Sequence, residues 1–237
     1  MTPVLLPPKI RPANGGINTM NTERHGIGEK LRELRKRRRL TLAMLGKRTG
    51  YSVSALSKME NGRLGVSYDK LTRLAVALDT DFSTLFTDTP QPAGPPAVGR
   101  RSIARKGNGK LVSTGNYDYL YVSPELSSKQ MVPILVKIQA TSLEEFGPLV
   151  RHGGEEWLYV LKGEIEVHSE FYEPERLQEG DSIYLDSRMG HAYVSKSRGG
   201  AEVLAVCSAP QAELLEHAES KAKQLATPRS ARRGKSR

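Results

Sequence analysis

Two imidazoles and a carboxylate, His152, Glu156 and His191, stand in one stretch of the chain. These side-chain types hold divalent metals, and a set of three leaves coordination positions open. If the stretch forms strands, alternate side chains share a face, and groups from facing strands can converge on one point. The alternative use is as polar lining of a ligand pocket, or as internally satisfied barrel histidines. Arg151 and Arg188 border the same site, and their planar guanidinium forks suit an anionic ligand. Tyr117, Tyr119 and Tyr121 alternate along one short segment, so all three share a face. Tyr119 and Tyr121 are read as ligand contacts, with aromatic packing as the competing role. Glu155 is read as a solvated strand residue. No Ser/His/Asp arrangement, phosphate-cradling glycine loop or dinucleotide fingerprint is present.

A second chemistry lies upstream, in TLAMLGKRTGYSVSALSKMENG, residues 41–62. Two short helices that cross closely need a small residue at the contact, and Gly46 supplies it. The turn between them needs left-handed backbone, which Gly50 adopts without strain. Tyr51, Leu56 and Met59 then face inward and Val53, Ser54, Ser57 and Lys58 outward, as on a helix that enters a major groove. Residues 27–86 resemble the phage-repressor/Cro-like (XRE) family. SALSKMENG matches the end of that family's recognition helix, and LTRLAVALDTDFSTLF its last two helices. The resemblance implies base contacts from Val53, Ser54, Ser57 and Lys58, and DNA-backbone contacts near Thr41, Ser52, Asn61 and Arg63. Val66 stands where the family often has proline. The run Arg35-Lys36-Arg37-Arg38-Arg39 ends the first helix, where cations complement the helix dipole and can meet phosphates.

The elements that must carry these groups fall into two kinds. Ile27, Leu31 and Leu34 recur at helical spacing. Thr41 and Ser52 are N-caps of a second and third helix, Ser67 starts a fourth and Asp81 opens a fifth. Beyond TPQPAGPPAVGRRS the period falls to about two. Strands are expected near 117–122, 132–140, 156–161, 164–168, 182–185, 191–194 and 202–207. The expected fold is α plus all-β: a five-helix helix-turn-helix domain (24–87), a linker (88–109) and a small β-barrel (110–210). A disordered tail (1–23) precedes them, with Met20 as an alternative start, and a helix with a basic tail (211–237) follows.

Charge divides the same way. The net charge is +10 over 237 residues, yet residues 24–87 carry about +8 and residues 110–210 about −6. A basic front on an acidic body suggests that one part meets a polyanion and the other does something else. A single cysteine, Cys207, excludes an intramolecular disulfide and fits a reducing, cytoplasmic setting. No apolar run is long enough to span a bilayer.

Residues 110–208 resemble the cupin family. HGGEEWLYVLKG (152–163) matches its first motif in the His-x3-Glu-x6-Gly core, and GDSIYLDSRMGH (180–191) its second as Gly-x10-His. The family's usual first His falls on Val150, and the second motif's Pro, Gly and Asn fall on Asp186, Arg188 and Ser195. The barrel is therefore expected to be a double-stranded β-helix with His152, Glu156 and His191 as a reduced metal set for Fe, Zn, Mn or Ni. The joint expectation is a DNA-binding regulator, homodimeric and not an enzyme, that binds double-stranded DNA and a small-molecule effector. The chain also resembles an epoxidase class of mononuclear iron oxygenases with the same layout, through the His-x3-Glu spacing, the distant His, Tyr119 and Tyr121. That resemblance implies Fe(II) on His152, Glu156 and His191.

Overall fold

A computed structural model describes residues 26–87 and 101–208. The expected N-terminal tail, the start at Met20, most of the linker and the C-terminal helix and tail lie outside the described residues.

The first unit is helical: α1 (Ile27–Arg37), α2 (Leu42–Thr49), α3 (Val53–Glu60) and α4 (Tyr68–Ala77). Leu31, Leu34, Leu45, Leu56, Met59, Leu71, Leu74 and Leu78 form its buried centre. The Thr41 hydroxyl accepts from Met44 N–H at 3.1 Å and the Ser52 hydroxyl from Ala55 N–H at 3.1 Å, so both expected N-caps form. Ser67 precedes α4 without capping it, because its hydroxyl turns to Asp69. Gly50 closes α2 in the left-handed region, φ 76°. Two other glycines set the crossings: a Cβ on Gly46 would come within 2.8 Å of Tyr51 O, and one on Gly28 within 2.4 Å of Met59 O. The expected fifth helix is a single 3-10 turn, Phe82–Leu85, capped by the Asp81 carboxylate. Phe82 and Leu85, with Phe86 just beyond them, pack well, but the run makes only one turn.

The second unit holds nine strands. They are β1 (Lys110–Ser113), β2 (Tyr117–Tyr121), β3 (Met131–Ile138), β4 (Glu155–Lys162), β5 (Glu164–Ser169), β6 (Glu175–Gln178), β7 (Ser182–Asp186), β8 (His191–Ser195) and β9 (Ala201–Ser208). A one-turn helix, α5 (Leu143–Phe146), precedes β4. One sheet runs β1-β2-β3-β9-β4-β7 and the other β6-β5-β8, and all the paired strands are antiparallel. Their inner faces enclose Ile134, Val136, Ile138, Leu158, Val160, Ile165, Val167, Val194, Val203 and Ala205. Each of the seven expected strands forms. The two unexpected ones, β1 and β6, lie at sheet edges and bury little, β6 reading exposed along most of its length. An edge strand with one solvated face carries no apolar alternation to read.

The two units meet. Phe82 and Phe86 pack on Tyr121 with ring centroids 5.8 and 4.9 Å away, and Tyr68 meets His152 edge to face at 4.9 Å. Ser128 N–H donates to the Asp81 carboxylate at 2.9 Å.

Candidate functional site

On the helical unit, Ser52, Val53, Ser54, Lys58, Asn61 and Arg63 are exposed, Ser57 is half-buried, and Leu56 and Met59 point inward. Thr41 is exposed at the start of α2. Asn61 Nδ2 donates to Ser57 O at 2.8 Å and closes α3. The helix is held from behind by Arg35, which grips Glu60 twice (Nε–Oε1 2.5 Å, Nη2–Oε2 2.8 Å) and donates to Leu40 O at 2.8 Å. Glu60 and Arg35 side chains are only 6% and 12% exposed, so this pair ties α1 to the end of α3.

The basic run therefore splits into internal and external members. Arg35 is structural, and Arg38 Nε donates to Leu78 O at 2.8 Å, capping α4. Arg37 pairs with Glu33 at 2.5 Å. Lys36 and Arg39 are exposed. Outside the run, Arg48 also closes α4, through Ala77 O at 3.0 Å.

Inside the barrel, His152 precedes β4, Glu156 lies on β4 and His191 opens β8 in the opposite sheet. The structure brings all three together. His152 Nε2 lies 3.2 Å and His191 Nε2 3.9 Å from Glu156 Oε2, and their side chains are 5%, 2% and 6% exposed for His152, His191 and Glu156. Each imidazole directs Nδ1 to a backbone carbonyl, His152 to Gly153 O at 3.2 Å and His191 to Met189 O at 2.9 Å. Those contacts turn the Nε2 edge of each ring toward the carboxylate, where Glu156 Oε2 accepts from His152 Nε2. Tyr193 donates to Glu156 Oε1 at 3.1 Å and is itself held by Tyr117, whose hydroxyl contacts Tyr193 N and O at 2.9 and 3.0 Å.

Burial pushes the Glu156 carboxyl up, but the His152 hydrogen bond, the fields of His152 and His191 and the Tyr193 hydroxyl outweigh it, so it stays below its ordinary value. Burial drives the His191 imidazole down, only partly offset by Glu156. The Cys207 thiol is raised well above its usual range by burial and by Glu156.

These groups line a cavity of about 40 Å³ together with Tyr117, Tyr119, Tyr193, Val150 and Cys207. Two further lining residues, Tyr68 and Asp69, come from α4 of the helical unit. Reading the barrel as a separate element missed them. Cys207 was also missed, although Val203, Ala205 and Cys207 alternate inward along β9, a period-two signal visible in the sequence.

Three expected ligand contacts sit elsewhere. Tyr121 shares the inward face but packs on Phe82 and Phe86 rather than lining the cavity. Arg151 is half-exposed and pairs with Glu170 at 2.5 Å, and Arg188 pairs with Asp186 at 2.5 Å on the surface. Flanking residues on extended backbone point to opposite faces, which turns Arg151 away from the side His152 uses.

Fold and site thus define a two-domain chain, an XRE-like helix-turn-helix head joined to a cupin barrel. Residues 27–84 match the helix-turn-helix domain family, and residues 143–207 match the cupin domain family. A helix-turn-helix (HTH_3 family) transcriptional regulator from Vibrio cholerae has a similar structure, with 22% identity, 78% of this chain and 95% of that chain covered, and a TM-score of 0.53. In sequence, the (S)-2-hydroxypropylphosphonic acid epoxidase of Streptomyces wedmorensis is 26% identical over 80% of this chain and 99% of its own. A solved structure of that epoxidase aligns at 24% identity over 76% of this chain and 96% of its own, with a TM-score of 0.43.

Proposed function

We propose that this chain is a sequence-specific, DNA-binding transcription regulator, acting as a cytoplasmic homodimer, whose cupin barrel senses a metal ion or a very small ligand. One observation carries the sensing reading. Tyr68 and Asp69, on the helix that follows the recognition helix α3, wall the same cavity as His152, Glu156 and His191. An occupant touches the DNA-binding unit directly, and occupancy can bias its position wherever affinity differs between two placements of α4. The cavity volume argues for a small occupant: ligand pockets for drug-sized molecules run to about 300–1,000 Å³.

In this reading Val53, Ser54, Ser57 and Lys58 address base edges, while Thr41, Ser52, Asn61 and Arg63 address phosphates. The small or hydroxylic side chains at three of the four reading positions favour a site defined by few direct contacts. His152, Glu156 and His191 fit a divalent metal, since both imidazoles are oriented by carbonyls and the carboxylate is held by Tyr193. When bound, the metal supplies a fixed charge inside the barrel. The protein's own groups position it and exclude water.

Two heads on a palindrome require two copies. The outer face of the larger sheet suits that contact. Met131, Leu135, Trp157 and Tyr184 are exposed there, and register places Leu135 beside Leu204 and Trp157 between Val206 and Tyr184. Replacing Trp157 and Leu135 with glutamate should shift sedimentation from dimer to monomer. The central test is electrophoretic shift on the gene's own upstream DNA, with metal and with chelator. Specific retention that changes between the two is expected, and its absence in both would refute the reading.

A second reading, a mononuclear iron oxygenase, is supported by the convergence of His152, Glu156 and His191 with Tyr119 lining the same cavity. Stoichiometric iron with oxygen consumption would favour it. No helix among the described residues is long and apolar enough to cross a membrane.

A further inference from the structure

We propose that Cys207 is a fourth metal donor alongside His152, Glu156 and His191, so that the barrel holds a thiolate-ligated ion of the zinc kind rather than an open iron centre. This deepens the reading of the cavity as the sensing site and rests on it. Register provides the first argument: Glu156 on β4 and Cys207 on β9 stand directly opposite each other. Opposed residues in an antiparallel pair put their side chains on the same face, and here that face is the barrel interior.

Distances provide the second. Donor atoms of His152, Glu156 and Cys207 all lie within 4.8 Å of one another. Around Glu156 Oε2, His152 Nε2 stands at 3.2 Å, Cys207 Sγ at 3.6 Å and His191 Nε2 at 3.9 Å. Bonds of zinc length in a tetrahedral array separate neighbouring donors by about 3.3–3.8 Å. His152, Glu156 and Cys207 stand near that spacing, and His191 stands near it from Glu156.

Chemistry provides the third. Cys207 is 2% exposed and touches a carboxylate in a chamber walled mainly by apolar and aromatic groups. Two acidic groups in contact there repel if both ionise. A dication between them removes the repulsion, with the thiol proton leaving to solvent as the sulfur–metal bond forms. Imidazole and thiolate together select zinc-like ions, and four protein donors leave no position open. Tyr68 of α4 lines the same cavity as Cys207, so this ligand would place the ion beside the DNA-binding unit.

The test loads the full-length protein with Co(II) and records its absorption. The wild type should take up one equivalent and show a sulfur-to-cobalt charge-transfer band in the near ultraviolet. Cys207→Ser should lose that band and bind zinc more than about tenfold more weakly, a loss that even an outer-shell contact can produce. Because the variant could be misfolded, zinc-edge X-ray absorption on the unmutated protein gives an independent answer, with one sulfur scatterer expected at about 2.3 Å. Failure to bind cobalt, a wild-type spectrum identical to that of Cys207→Ser, or a zinc shell without sulfur would each overturn the proposal. Upstream-DNA binding measured on the same preparations separates the two readings. If it survives while the sulfur signature is absent, the regulator stands and only the thiolate site falls.

Discussion

The helical head and the barrel use polar side chains in opposite directions. In the head, the groups available to a partner lie outside, on α3, while a buried ionic pair, Arg35 with Glu60, is structural. In the barrel the surface ion pairs, Arg151 with Glu170 and Arg188 with Asp186, are solvated scaffolding, and the chemistry-bearing groups are inside. The same residue type therefore means different things in the two units. A buried charge in the head holds a helix in place, and a buried charge in the barrel faces a cavity. Tyr68 is where the two patterns touch, a head residue sealed inside the barrel's cavity.

Breaking that contact should have the largest effect. Tyr68→Ala removes a fully buried ring that packs on both Phe82 and His152. It should destabilise the chain by about 3–5 kcal/mol and split one denaturation transition into two. A single unchanged transition would show that head and barrel are coupled elsewhere. Next is the pair that steadies the recognition helix. Glu60→Ala leaves Arg35 without its carboxylate in a mostly buried position and should cost about 2–3 kcal/mol, just below the range of about 3–5 kcal/mol for broken buried pairs because Arg35 keeps some contact with water. Chemical denaturation reads it. The loss should fall on the head, with amide exchange in β3, β4 and β9 unaffected.

Lys58→Glu sharpens the comparison from the outside. The site is exposed, so stability should change by less than about 0.5 kcal/mol. DNA affinity should fall at least tenfold, on the scale of about 1–3 kcal/mol for a lost base contact. A variant that binds its DNA normally would show that α3 does not lie against the duplex.

The same contrast explains what could be read from the sequence. The head was legible almost residue by residue because its signals are local: Thr41 and Ser52 cap, Gly50 turns, and Gly46 permits a crossing four to ten residues away. In the barrel the local part was legible too, as period-two strands and the His152–Glu156 spacing. What escaped depended on pairing between distant segments. Cys207 joins Glu156 only through the β4–β9 register, and Tyr68 enters the cavity only through the docking of one unit on the other. Tyr121 was misjudged for the same reason, since alternation gives the face of a residue but not its neighbour. The edge strands β1 and β6 bury too little to leave a pattern.

The smallest predicted effect concerns acid and tests whether the barrel's interior is the titrating part of the molecule. Burial lowers the His191 pKa from its ordinary 6.5. The unfolded chain therefore binds that proton more readily than the folded one, and stability rises with pH up to about 6.5 and is lost as pH falls below it. The Glu156 carboxyl, held below its ordinary 4.5, acts in the same sense at lower pH: its stabilisation is present above that value and lost as pH falls through the lowered one. Metal-free protein melted between pH 7 and pH 5 should lose thermal stability, first through His191. His191→Gln keeps a polar group of similar reach but cannot take up the proton, so its melting temperature should vary less over that interval. Equal acid sensitivity in the variant and the wild type would place the titrating group outside the cavity. It would also remove the distinction between an ionically quiet head and an ionically responsive barrel.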